Sequence, residues 1–86
     1  MADNTMDRGA FLVRLEPIFR DILDPDLRLT EDLDATRVPQ WDSLNHISLV
    51  VAIEGDFGIE LTIDELASLR NVGDLVNVLI AKGCKA

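Results

Sequence analysis

The apolar residues of this 86-residue chain recur at helical spacing in four places, and no alternating strand pattern survives anywhere in it. That pattern limits the fold more than any other feature. A period near 3.6 builds helices with one apolar face, whereas a half-buried strand needs a period of 2. From Asp7 to Leu23 the apolar positions are Phe11, Leu12, Leu15, Ile18, Phe19, Ile22 and Leu23, with Arg14, Glu16, Arg20 and Asp21 falling largely between them. Pro17 conflicts with this, because it removes an amide donor and crowds the carbonyl four residues back. The periodicity continues across it, so a kinked helix is expected in place of a separate turn. A second helix is expected from Ser43 to about Phe57. Leu44, Ile47, Val50, Val51, Ile53 and Phe57 form its stripe, Leu49 widens it, and Asn45, Ser48, Ala52, Gly55 and Asp56 lie opposite. Gly58 is the expected stop.

Thr62 and Glu65 have capping-box spacing, which opens a short third helix with Ile63, Leu66 and Leu69. Asn71 is a good N-cap for a fourth, which carries Val72, Leu75, Val76 and Leu79 and ends at Gly83 with Lys82 in its last turn. The expected fold is all-α: a small four-helix bundle with three main helices, one short third helix and a long loop between helices one and two. That loop, Asp24 to Trp41, has two prolines, many acids and no sustained period. A loop this long needs apolar anchors, and Leu27, Leu29, Leu33, Val38 and Trp41 can serve. Val38 precedes a proline and should be extended. The length allows one domain, residues 1–86, of which 1–6 are expected to fray.

Charge narrows the function. Sixteen acids against eight bases give a net charge of −8. That argues against nucleic acid and against anionic membrane surfaces, and it favours basic protein partners. No stretch approaches a transmembrane length and the N-terminus lacks a basic signal-peptide start, so a soluble, cytoplasmic protein without membrane insertion is expected. One cysteine, Cys84, and one histidine, His46, are too few for a disulfide framework, a structural zinc site or a nucleophile–base–orienter set. Cys84 reads as an exposed tail thiol, and His46 as a partly buried packing residue. A calcium loop at Asp24–Ala35 fails as well. Arg28 stands where a third ligand belongs, Leu29 where glycine is needed, and Ala35 where the bidentate glutamate belongs. No metal site and no catalytic residue are expected.

What remains is Ser43. Asp42 and Ser43 are both ordinary N-cap residues, one of which must begin the second helix, so capping alone accounts for a serine there. Its surroundings support more. Trp41-Asp42-Ser43-Leu44, then HISLVVAIEGDFGIELTIDEL, then VGDLVNVL, together resemble the acyl carrier proteins over nearly the whole chain, with the four-helix order intact. The resemblance implies that Ser43, flanked by Asp42 and Leu44, carries covalent 4'-phosphopantetheine added by a phosphopantetheinyl transferase. The arm's thiol would hold acyl groups as thioesters, and the protein would have no catalysis of its own. A helix N-terminus suits a phosphodiester, since it offers free amides and a positive dipole end.

The resemblance also implies docking of acyl-transferring, ketosynthase or ligase enzymes through basic patches on the second and third helices. No Lys or Arg occurs between Arg37 and Arg70, a stretch holding Asp42, Glu54, Asp56, Glu60, Asp64 and Glu65. A solvated acidic face would look the same. Leu44, Glu54, Asp56 and Glu65 are the expected docking residues. The helix-two face has Ser48, Ala52 and Gly55 where fatty-acid-synthesis carriers often have more acids, so apolar contact should contribute. Val50, Ile53, Phe57, Ile59 and Leu66 could line an acyl pocket, or be plain core. The Trp-Asp-Ser-Leu-Asn-His form is similar to free-standing carriers of specialised acyl or polyketide pathways, and a monomer is expected. Two alternatives stay open: an aminoacyl or peptidyl carrier using the same serine, and an unmodified acidic helical interaction module in which Ser43 only caps.

Overall fold

The structure is a computed structural model that describes residues 8–84; the expected fraying of residues 1–6 lies outside them. Among the described residues there are four helices and no strand: α1 (Arg8–Ile22), α2 (Ser43–Phe57), α3 (Ile63–Ala67) and α4 (Val72–Ala81). Pro17 lies inside α1, which runs through it as one element, so no separate turn precedes it. The proline sits on the exposed side, and so does Val13 four residues back, whose side chain is 75% exposed. Water can reach that face, and a proline there costs less than it would against the core.

The helices form where local signals agree with burial. Phe11, Leu15 and Phe19 of α1 recur every four residues and are almost completely buried. They meet Leu49 and Ile53 of α2 and Val72, Leu75, Val76 and Leu79 of α4 in one continuous core. α2 starts at Asp42, whose carboxylate accepts the Asn45 amide, and stops at Gly58. Gly58 has φ +68°, a left-handed conformation that glycine adopts without a Cβ penalty, and its amide closes onto the Glu54 carbonyl. α3 has the full capping box of Thr62 and Glu65, but none of its residues is buried. α4 is capped by Asn71, whose side chain accepts the Asp74 amide.

The long loop is anchored as expected. Leu27, Leu29 and Val38 are buried, and Leu33 and Trp41 pack half-buried against the core. Its acids shape turns: the Asp24 and Asp34 carboxylates accept the amides two residues ahead, at Asp26 and Thr36. The polar side of α1 holds the loop in place. Glu16 accepts the Leu29 amide at 3.0 Å and Arg20 donates to the Leu27 carbonyl at 2.8 Å. Farther on, the Leu33 and Glu31 carbonyls accept the Val72 and Gly73 amides at the start of α4. The backbones approach so closely there that a Cβ on Gly73 would stand 3.2 Å from the Glu31 carbonyl oxygen. Arg8 completes this junction, reaching the Glu31 carboxylate, the Asn77 side chain and the Gly73 carbonyl.

Two expectations are corrected. Ile47 and Val51 are not core residues; they are 60% and 61% exposed. At about 100° per residue, the stripe of α2 is wider than the arc its neighbours can cover. α1 and the core take the side holding Leu49, Val50 and Ile53, and the short α3 leaves the other edge open. Cys84 is not an exposed tail thiol. It is half-buried against the core, its amide bonded to the Leu79 carbonyl, because the turn at Gly83 (φ +80°) folds the chain back.

Candidate functional site

Ser43 is the first residue of α2 and is exposed. Two adjacent residues could have capped this helix, and Asp42 does so: its Oδ1 accepts the Asn45 amide at 2.9 Å, while its carbonyl accepts the His46 amide at 2.8 Å. The idea that Ser43 serves as the cap is therefore corrected. Its hydroxyl has no hydrogen-bond partner among the described residues. The amides of Ser43 and Leu44 precede the first intrahelical bond and remain available. A free hydroxyl beside two free amides, at the positive end of a 15-residue helix, fits attachment of an anionic phosphodiester.

The loop end that carries Ser43 is braced from both sides. Asn45 donates its side-chain N–H to the Gln40 carbonyl at 2.7 Å, and the Trp41 amide closes a turn onto Val38. The Trp41 ring meets Phe19 edge to face, with centroids 5.4 Å apart at 81°. Its Nε1–H donates to His46 Nδ1 at 3.0 Å, which fixes the unprotonated nitrogen of that imidazole toward the tryptophan. His46 thus packs half-buried as expected, but it also holds the loop through a polar link that the spacing of Trp41 and His46 alone did not reveal.

Beside Ser43 lies an open groove of about 480 Å³ lined by Ala35, Trp41, Asp42, His46, Ile47 and Leu69. A narrower apolar space of about 10 Å³ shares Trp41, His46 and Leu69 with it and is lined further by residues that include Phe19, Leu49, Val50, Ile53 and Leu75. A second open groove, about 500 Å³, runs between α2 and α3 along Val50, Val51, Glu54, Ile63 and Leu66. The five candidate pocket residues are therefore distributed. Val50 and Ile53 line the narrow apolar space, and Val50 joins Leu66 in the α2–α3 groove. Phe57 lies apart from both, stacked on Phe11 at 6.2 Å and covered by the Arg14 guanidinium at 4.0 Å. Ile59 packs against the core away from either space.

The candidate docking residues divide in the same way. Leu44 is 74% exposed and forms a strip with Ile47 and Val51, near which Ile63 of α3 is 84% exposed. The three acids are occupied. Glu54 accepts the Leu61 amide at 2.7 Å, and Asp56 pairs with Arg14 at 2.9 Å. Glu65 accepts the Thr62 amide at 2.8 Å and pairs with Lys82 at 2.9 Å. These two contacts, the Thr62 amide foremost, hold the Glu65 carboxyl below the ordinary glutamate range. Glu60 and Asp64 are exposed carboxylates with no side-chain partner among the described residues. Sequence reasoning passed over both, because nothing local distinguishes a free acid from one paired with a distant base.

Comparison with known proteins agrees with this geometry. The family described as PP-binding, phosphopantetheine attachment site, matches residues 14–79. An acyl carrier protein of Acidothermus cellulolyticus is 37% identical over 57 residues, covering 66% of this chain and 61% of that protein. One from Rickettsia canadensis is 33% identical over 60 residues, covering 70% and 63%. The chain thus spans somewhat under two thirds of the length of these curated relatives. An acyl carrier protein of Thermosynechococcus vestitus matches at 28% identity over 86% of this chain and 93% of that protein. The solution structure of a holo acyl carrier protein from Geobacter metallireducens superposes with a TM-score of 0.78 at 39% identity, covering 83% of each chain.

Proposed function

The chain belongs to the acyl carrier protein family, the proteins with a phosphopantetheine attachment site, and from that premise we propose that it carries acyl groups on a phosphopantetheine arm at Ser43. The observation that carries the reading is the free Ser43 hydroxyl at the mouth of α2, released from capping by Asp42. Attachment by a phosphopantetheinyl transferase forms a bond from Ser43 Oγ to phosphorus and breaks the coenzyme A pyrophosphate, with the nucleotide half leaving. Once bound, the group supplies a thiol that holds acyl cargo as a thioester. The chain's own residues hold the site. Asp42 fixes the helix start, the Ser43 and Leu44 amides would hold the phosphate, and Trp41 and Asn45 pin the loop. Catalysis stays with the partner enzymes.

The partners are acyl-transferring, ketosynthase or ligase enzymes in the cytoplasm, acting in a fatty-acid-type or specialised polyketide-type pathway. They dock on the exposed strip of Leu44, Ile47 and Val51 with Ile63, an apolar surface guided by the free carboxylates of Glu60 and Asp64. Charges at such a rim speed encounter and select partners, whereas the apolar centre supplies affinity. Among the described residues no helix is long and apolar enough to cross a membrane.

The test is incubation of the unmodified protein with coenzyme A and a broad-specificity transferase, followed by intact mass. A gain of one phosphopantetheine is expected, and Ser43→Ala should abolish it. No gain by the folded protein, or a gain that survives Ser43→Ala, overturns the assignment. Parallel loading with acyl and aminoacyl donors should favour the acyl group.

A further inference from the structure

The open groove beside Ser43 and the open groove between α2 and α3 meet at His46 and Ile47, which line both. They form one track along the outside of α2, starting at Ser43. Three of the side chains lining it can donate a hydrogen bond: Trp41, Ser43 and His46. The Trp41 Nε1–H is committed to His46 Nδ1 at 3.0 Å, and Ser43 Oγ loses its proton on esterification. That leaves His46. A neutral imidazole whose Nδ1 accepts a hydrogen bond carries its proton on Nε2. Nε2 has no partner among the described residues, and none of their buried side-chain nitrogens or oxygens lacks one, so this N–H is open to water. The Asp42 and Glu54 carboxylates, also on the track, accept backbone amides and have nothing to donate.

We propose that the His46 Nε2–H holds the phosphopantetheine arm on this track, by donating to the arm's amide carbonyl nearest the phosphate. The proposal rests on attachment at Ser43. His46 follows Ser43 by three residues, about one helical turn, and side chains lean toward the helix N-terminus. Its ring therefore stands within reach of groups a few bonds beyond the phosphate. There the arm carries a dimethyl-substituted carbon, a hydroxyl and then its first amide. The amide carbonyl meets Nε2–H, and the two methyl groups cover Ile47 and Leu69, of which Ile47 is otherwise 60% exposed. Trp41 contributes by fixing the tautomer; without its N–H, the imidazole proton divides between the two nitrogens. His46 is thus a positioning residue, setting the direction in which the arm leaves Ser43 while the thiol end stays free to reach a partner.

His46 is the only histidine in the chain, so its ring nitrogens are read without overlap. In the unmodified protein, a long-range 1H–15N spectrum at pH 8 should show the Nε2–H tautomer, and a predominant Nδ1–H tautomer overturns the proposal. The protein is then converted with 13C,15N-labelled coenzyme A, and the conversion is confirmed by intact mass. The arm amide nearest the phosphate should show cross-relaxation to the Ile47 methyls. Its 1H–15N nuclear Overhauser effect should fall in His46→Leu, since one lost hydrogen bond lowers the held population about fivefold. His46→Gln, which keeps an N–H near the Nε2 position, should retain most of the effect. Trp41→Phe, which keeps an aromatic ring but has no N–H, should give mixed tautomers and a smaller effect. No contact with Ile47, or an effect unchanged in His46→Leu, overturns the subsite. Equal loss in His46→Gln and His46→Leu overturns the hydrogen bond, because bulk alone would then account for the ordering. An undiminished Nε2–H tautomer in Trp41→Phe overturns the part given to Trp41. Failure of the mass to rise overturns the attachment reading and the subsite with it, whereas a risen mass with a mobile arm overturns the subsite alone.

Discussion

Gly55 and Gly58 lie three residues apart at the end of α2, and replacing each with alanine should move stability in opposite directions. Gly55 is inside the helix and exposed, and nothing stands within 4 Å of where its Cβ would be. Alanine there fills no occupied space, restricts the unfolded chain and raises helix propensity, a gain of about 0.8–1 kcal/mol. Gly58 also has open space around it, but its φ is +68°. A Cβ in that conformation costs about 1–2 kcal/mol, partly offset by the reduced entropy of the unfolded chain. For a domain of this size, about 1 kcal/mol corresponds to a shift of about 4–8 °C. Thermal unfolding of the unmodified protein by circular dichroism at 222 nm should therefore show Gly55→Ala melting several degrees above the parent and Gly58→Ala several degrees below. Urea titration should show shifted midpoints at an unchanged slope, since neither change alters the surface exposed on unfolding. If both variants shift the same way, the argument from backbone conformation is refuted. A stabilised Gly58→Ala would mean that α2 does not end in a left-handed residue.

Three further outcomes follow from particular contacts. Asp42→Ala removes the α2 cap and should cost about 1 kcal/mol in urea unfolding, whereas Asp42→Asn should retain most of it; equal loss in both would remove the cap from the account. Acid should weaken the junction at Glu31, whose carboxyl is held below its ordinary value of 4.5, chiefly by hydrogen bonding from Arg8. A lowered folded pKa contributes stability that is present above the unfolded value and disappears as pH falls through the folded one. Glu31→Gln should therefore flatten the pH dependence of the melting temperature below about pH 4.5, and an unchanged acid limb would contradict this. Finally, self-repulsion at a net charge of −8 exceeds what the surface ion pairs offset, so added salt or divalent cations should raise the melting temperature. Melts that are flat across ionic strength would count against it.

The legible parts of this protein are those whose cause lies within a few residues. The bounds of α2 were readable because Asp42-Ser43 and Gly58 are local punctuation, and the capping box of α3 is a four-residue signal. The loop anchors were readable because apolar residues in an otherwise polar connection have one place to go. The motif around Ser43 was readable as a family resemblance, since it is contiguous along the chain. Which of Asp42 and Ser43 caps was not, because both are competent and the choice depends on how the loop enters the helix.

By itself the sequence determined the helical class, the helix order and the serine at the entrance to the second helix, because helical periodicity and capping are short-range physics. Tertiary structure decided which edge of an apolar stripe wider than its neighbours was covered, leaving Leu44, Ile47 and Val51 outside. It also decided which acids were occupied: Asp56 by Arg14 forty-two positions away, Glu65 by Lys82, and Glu31 by Arg8. Burial and long-range pairing depend on where whole helices lie relative to one another, and that geometry is not contained in any local run of residues.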